Sequence, residues 1–241
     1  MNLNKDTMSM STKIGIEDLS FLQLSDSLFP TGLYAMSNGL EAYFKSKKLD
    51  RTNIEELIGV FLRQQVGPTD CTALGNAYES IRISDFKGLI NIDRTLYSMR
   101  IIEEVRNASV RSGIQLLKCV SSFIKGNRIL DKYLEAVTHG EATGIYAVSF
   151  AVACCSLHLP KQKAALMLLY GFTVSIVGAA LRLGILQHFE AQTIIHNLKP
   201  YLLESVQKYI DRPLSGMWQF APGLDILQIK HEQMSSKMFI T

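Results

Sequence analysis

The chain has 241 residues, 47% of them apolar and 20% charged, with a formal net charge of +3. A domain of this length buries roughly three quarters of its unfolded surface. The composition excludes intrinsic disorder, a collagen-like repeat and a disulfide miniprotein, and the weak charge gives no electrostatic ground for binding nucleic acid or an anionic membrane.

The dominant period is helical. Ile54, Leu57, Ile58, Phe61 and Leu62 follow the i, i+3, i+4, i+7, i+8 template. Thr52 with Glu55 reads as a capping box, and Gly67-Pro68 reads as the stop. Thr69 or Asp70 then caps a helix through Leu74, Ala77, Tyr78 and Ile81. A longer helical stretch from about Phe86 carries Leu89, Ile92, Leu96, Met99 and Ile102 on one stripe. Its expected bend lies near Asn107 to Gly113, after which Leu116, Leu117, Val120 and Phe123 continue the spacing to Gly126. Leu130, Tyr133, Leu134 and Val137 form a short amphipathic helix ended at Gly140. A late helix runs from about Gln187 to Ile210, with Pro200 expected to kink or split it. No alternating strand pattern and no Asn-Gly or Asp-Gly hairpin signal occurs. The fold expected is all-α, a single-domain bundle of about nine to ten helices, with a flexible segment over residues 1–18, the helical domain over 19–212 and a tail over 213–241.

Two runs, Ala142 to Leu159 and Ala164 to Leu181, are each 18 residues long without Asp, Glu, Lys or Arg. They read either as a transmembrane hairpin, since about 18 apolar residues reach the lower limit for spanning, or as two central helices apolar all round. Their richness in Ala, Gly, Ser, Thr and Cys favours the central pair. The last thirty residues are irregular in texture, with Pro213, Gly216, Pro222 and Gly223 as punctuation and Trp218 and Phe220 between them. A short helix through Asp225 to Glu232 is expected there. Such an apolar tail either folds back on its own bundle or docks on another protein.

Catalytic equipment is not visible. There is no P-loop, no dinucleotide fingerprint and no HExxH. His188 and His196 are eight residues apart, and the adjacent His231 and Glu232 diverge by about 100° on a helix. Cys71, Cys119, Cys154 and Cys155 show no metal-ligand spacing and read as reduced thiols. Met1 to Ser20 lacks the apolar core of a signal peptide. A binding or scaffolding protein in the cytoplasm, with no cofactor, is therefore expected rather than an enzyme.

Several polar clusters are organised. Leu24-Ser25-Asp26-Ser27-Leu28-Phe29-Pro30-Thr31-Gly32 reads as a helix end and turn, with Asp26 and Ser27 on local backbone groups. Asn38 and Glu41 stand at capping-box distance. Phe29 and Tyr34, two rings beside an irregular turn, suit a partner-binding patch. Arg106, Ser109 and Gly113 share one helical face, and Gly113 costs about 1 kcal/mol against Ala unless a neighbour packs closely. Arg182 follows the second apolar run and needs a carboxylate or free carbonyl groups.

Taken in order, these clusters resemble the UreF family of urease accessory proteins. The resemblance rests on Leu24 to Gly32 with Ser37-Asn38-Gly39-Leu40-Glu41, Gly67-Pro68-Thr69-Asp70 leading to Ala77-Tyr78, and Arg106 to Gly113. It continues in His139 before the first apolar run, Ala179-Ala180-Leu181-Arg182-Leu183-Gly184, and Ala221 to Glu232 with Phe239. It implies an all-α homodimer that does no chemistry itself, binds UreD (UreH in some species) and recruits the GTPase UreG, so that nickel reaches apo-urease. A regulatory effect on the GTPase has been proposed for the family. The turn residues Phe29, Pro30, Gly32 and Tyr34 would meet the GTPase. The tail residues Trp218, Phe220, Asp225, His231, Glu232, Lys237 and Phe239 would dock UreD/UreH. Asp26, Asn38, Glu41, Asp70, Arg106, Gly113 and Arg182 would be structural. The family's Tyr-Ser-Arg-Leu-Phe-like ending is here Ser235-Ser236-Lys237-Met238-Phe239, which gives up the planar, bidentate bonding of arginine. Leu33 stands where the family turn often has a second glycine.

Overall fold

A computed structural model describes residues 14–26, 28–46 and 53–241. Residues 1–13, Ser27 and Thr52, with the capping box assigned to the last, lie outside the described residues. Ten helices occur among the described residues, and no strand. They are α1 (Ile16–Ser25), α2 (Leu40–Lys45), α3 (54–82), α4 (Phe86–Met99), α5 (Glu103–Phe123), α6 (Arg128–Thr138), α7 (Tyr146–Ser156), α8 (Lys161–Arg182), α9 (His188–Tyr209) and α10 (Pro222–Glu232).

Helix α7 is the hub, packed against α3, α5, α6 and α8. It is apolar all round and almost wholly buried, so the amides at its start and in the turn that leads into it must find acceptors inside the protein. The Tyr146 amide, the first of the helix, donates to Ser109 Oγ at 3.3 Å, and Asp93, fully buried on α4, takes those of the turn. Its carboxylate accepts from the amides of Thr143 at 2.6 Å, Gly144 at 3.1 Å and Ile145 at 3.1 Å, and from the Tyr133 hydroxyl at 2.7 Å. Burial, with Asp93 beside it, pushes the Tyr133 phenol up and keeps it a donor. A Cβ on Gly113 would stand 2.0 Å from the Gly144 carbonyl oxygen, so α5 reaches this junction only through glycine.

Helix α8 is, among the described residues, the one long and apolar enough to cross a bilayer, and 61% of its apolar window is buried in the bundle. Helix α7, with 11 residues, spans only about 17 Å at 1.5 Å per residue, against the roughly 30 Å of a hydrocarbon layer. Both runs therefore sit as central helices.

Three expectations from the sequence are corrected. The stop at Gly67-Pro68 is overridden: α3 runs from Ile54–Phe61 through a π-helical stretch, Leu62–Cys71, into Thr72–Arg82. Pro68 has no N–H for a carbonyl five residues back, yet the carbonyls there are not left unpaired. Arg63 accepts from the Tyr209 hydroxyl at 3.1 Å, Gln64 from the Phe220 amide at 3.1 Å, and Gln65 from the Thr69 hydroxyl at 2.6 Å. Widening of the helix and outside donors replace the bonds that proline forbids. Asp70 is accordingly not a cap but a buried side chain within this stretch.

The break expected near Asn107 to Gly113 falls instead at Arg100–Ile102, between α4 and α5. Arg100 leaves the helix so that its guanidinium reaches Asp70. Pro200 neither splits nor ends α9, which runs unbroken from His188 to Tyr209. It lies on the exposed side, where water can take the carbonyl that its ring displaces. All four cysteines are free. Burial pushes the Cys71 and Cys155 thiols up to about 12, so both stay protonated.

Tyr209→Phe is expected to cost about 1–3 kcal/mol in urea unfolding, because the Arg63 carbonyl loses its donor while the ring's packing is kept. An unchanged midpoint would mean that the π-helical stretch satisfies itself.

Candidate functional site

The turn and the tail, far apart in sequence, meet at one end of the bundle. Asp26 accepts from the Leu28 amide at 2.7 Å, as the turn chemistry requires. Gly32 has φ +80°, Leu33–Ala35 forms a short 3-10 turn, and the Leu33 carbonyl accepts from Ser175 at 3.2 Å. Phe29 is half-buried against the core, Pro30 is exposed, and Tyr34 is 71% exposed.

The capping box expected from Asn38 and Glu41 does not form. Gly39, at φ +88°, is the N-cap of α2, and Asn38 is itself left-handed at φ 52°. A Cβ on Gly39 would lie 3.0 Å from the Gln228 backbone nitrogen, so helix α10 rests on this glycine. Glu41, 2% exposed, is turned toward the tail instead. Its carboxylate accepts from the amides of Met238 at 3.0 Å and Phe239 at 3.1 Å, and pairs with Lys45 at 3.0 Å. Burial pushes the Glu41 carboxyl up, but the amides of Met238 and Phe239, with Lys45 and His231, outweigh it and hold the group below the usual carboxylate range.

His231, fully buried, lies between two carboxylates. Its Nε2 is 3.3 Å from Glu41 Oε2, and its Nδ1 is 2.6 Å from Glu104 Oε2. Lys237 donates to Glu104 and to the Glu232 carbonyl, and Glu232 accepts from the Glu104 amide at 2.9 Å. Beyond this cluster the chain end pairs with the turn backbone. The Ile240 amide donates to Ala35 and the Ser37 amide to Thr241, each at 2.8 Å.

Of the carboxylate or carbonyl groups expected for it, Arg182 finds a carbonyl. Its Nε donates to the Gly178 carbonyl at 3.0 Å, and its guanidinium lies over the rings of Tyr34, at 3.8 Å, and Phe239, at 4.4 Å. Asp70 pairs with Arg100, and Arg106 donates to the Arg100 carbonyl at 2.9 Å. Asp225 is half-buried in the first turn of α10, where burial pushes its carboxyl up and the Arg100 charge pulls it back.

The structure thus divides the seven tail residues. His231 and Phe239 are buried and serve the tail's own closure, which removes them from any outward surface while the tail is closed. Lys237 and Glu232 remain at the solvent edge, but both are engaged with Glu104. Trp218 is half-buried, and Phe220 is 73% exposed. Sequence reading missed Glu104, Lys45 and Ser37. Two acidic residues opening a helix, a lysine one turn after Glu41 and a serine before Asn38-Gly39 carry no mark of tail partners far along the chain. No group of three His, Cys, Asp or Glu able to hold a metal ion occurs among the described residues.

An all-α bundle whose last segment is strapped across an N-terminal turn defines the class. The UreF family model matches residues 49–199. The chain is 33% identical over 224 residues to the "Urease accessory protein UreF" of Trichodesmium erythraeum (strain IMS101), covering 92% of this chain and 96% of the relative. It is 28% identical over 225 residues to the protein of the same name from Bacillus sp. (strain TB-90), covering 92% and 98%. The chain belongs to the UreF family of urease accessory proteins.

Toward acid, tail closure should hold down to about pH 4.3, the ordinary glutamate value. It should be lost below that, as Glu41 takes a proton at its depressed value and ceases to accept from two amides. Hydrogen exchange at Met238 and Phe239 reads this directly. Glu41→Gln should weaken closure by roughly 1.5–3 kcal/mol and abolish the acid limb.

Proposed function

We propose that this protein is a cytoplasmic, non-catalytic scaffold in urease maturation, working as a homodimer. In this reading the tail binds UreD/UreH, and the complex presents a surface to the GTPase UreG, whose nickel then reaches apo-urease. The protein holds no nickel site or cofactor of its own and contacts neither nucleic acid nor membrane. Its effect on the GTPase is to position it and to modulate hydrolysis.

One observation carries the reading: the tail's outer face is apolar. Phe220 is 73% exposed, Ile226 53%, Ile229 39%, Met238 65% and Ile240 43%. A segment tied down by ions beneath and left apolar above suits a protein partner. An interface of about 800 Å² per side is within reach of such a segment. The turn patch for the GTPase is supported by Pro30 and Tyr34, which stand outward beside the tail end.

The test is co-expression with UreD/UreH. Ile226→Glu combined with Met238→Glu should leave stability within about 0.5 kcal/mol and abolish co-purification. Tyr34→Ala should reduce recruitment of UreG to the complex, with a stability cost of only about 0.5–1 kcal/mol for the lost contact with Arg182. Normal co-purification of the double variant would overturn the tail assignment.

A further inference from the structure

We propose that the cleft between the starts of α4 and α6 is a docking site for an acidic segment of another polypeptide, one that carries an apolar anchor residue beside its carboxylates. The proposal stands apart from the reading of the tail and the turn and adds a third surface to them.

The cleft has a volume of about 420 Å³, within the roughly 300–1,000 Å³ of binding sites in general. Its walls come from the last turn of α3, the turn at Ser84 and Asp85, and the first turns of α4 and α6. The floor is apolar: Leu89 is fully buried, and Ile81, Phe86 and Ile129 are half-buried against the core. Ile83, in the turn beside it, is 62% exposed.

The polar groups of the cleft divide into spent and unspent. Asp85 caps α4 by accepting from the Gly88 amide at 2.9 Å, and Asn127 caps α6 by accepting from the Leu130 amide at 3.2 Å. The Asp85 charge thereby stays with the positive end of its own helix. The cations belong to α6, where Arg128 and Lys132, one turn apart and both exposed, line the cleft. Lys132 Nζ lies 4.0 Å from the centre of the Phe86 ring, which holds the ammonium over the floor. Among the described residues Arg128 makes no hydrogen bond, ion pair or ring contact. An unspent guanidinium and an ammonium above an apolar floor have one complement. An aliphatic or aromatic side chain fills the floor, and carboxylates meet α6, where arginine bonds them two at a time.

The shape selects a segment over a small molecule. Ser84, Asp85, Arg128 and Lys132 are all exposed, so the cleft is open along that side. A site for a small molecule buries about 70–90% of its ligand, which an open cleft does not. A segment can insert its anchor and run on past the rim. The site is also clear of the tail. Helix α4 has 14 residues and so spans roughly 21 Å. The cleft lies at its start, while Arg100, beneath the tail, lies just past its end.

The test uses the full chain and two synthetic peptides capped at both ends: Glu-Asp-Leu-Phe-Glu-Asp, and its counterpart with lysine at every acidic position. The amide signals of Ile81, Phe86, Ile129 and Lys132 should shift saturably with the acidic peptide and stay in place with the lysine peptide. Binding should weaken several-fold between about 0.05 and about 0.5 M salt. Arg128→Glu combined with Lys132→Glu alters two exposed side chains and should weaken the acidic peptide at least about tenfold with helix content unchanged. Should the double variant lose helix content, Arg128→Gln, at a side chain with no contact to give up, takes its place with the same direction of change. No saturable shift with the acidic peptide, equal shifts from the lysine peptide, or unchanged affinity in the folded variant overturns the proposal. 3-Phenylpropionate binding as tightly as the peptide overturns it in favour of a small-molecule site. The folded variant should co-purify normally with UreD/UreH, and loss of that partner would overturn the standing of the cleft as a separate surface.

Discussion

The fold depends on one buried carboxylate. Asp93 receives the three amides of the turn that leads into the central helix α7, with Tyr133 as a fourth donor. A negative charge at a helix N-terminus is favoured by the dipole as well as by the bonds. Asp93 brings α4, α6 and α7 to one point, and Gly113 lets α5 close on the same point from the other side. The uncharged helix is thereby enclosed, and the remaining elements need only cover it. The turn, α1 and the tail lie at the periphery.

The tail is attached by two kinds of contact. Ala221 and Leu224 pack with Phe61, whose ring meets Phe172 at 5.3 Å, and Phe239 is buried in the main core, against which Leu214 and Met217 pack. Alongside run polar contacts, through Glu41, Glu104, His231, Lys237 and the backbone pairing with residues 35–38. The Phe220 amide adds a bond to Gln64, a carbonyl in the widened part of α3. The π-helical stretch is therefore tied to the tail as well as to α9.

The helices were legible because apolar periodicity is a local signal that the core only amplifies. The late helix and the buried pair followed from it, whereas the apolar composition of the tail left fold-back and docking both open. Three local signals were outvoted by distant partners. Gly67-Pro68 is a stop by every local rule, yet Tyr209 and Phe220 supply what the proline lacks. Asn38 and Glu41 have capping-box spacing, but two tail amides and a histidine offer Glu41 stronger partners. Arg100 ends a helix that its own sequence would continue, because a buried aspartate waits across the core. Single-sequence patterns contain no term for such partners. The clusters at Asp26 and Gly113 were read correctly because their reasons were local or steric.

The seam beneath α10 differs in character from the centre of the bundle. Gln228 is 1% exposed, yet neither its amide nitrogen nor its oxygen has a partner, and Gln219 Oε1, Asp225 Oδ1 and Arg100 Nε are in the same condition. Each such group costs about 1–3 kcal/mol against a satisfied one. A permanent interface would be expected to replace them with apolar side chains, as the centre of the bundle does around α7. The seam is thus polar and incompletely paired, and the bonds that Glu41 and Glu104 make to the tail run along its edge.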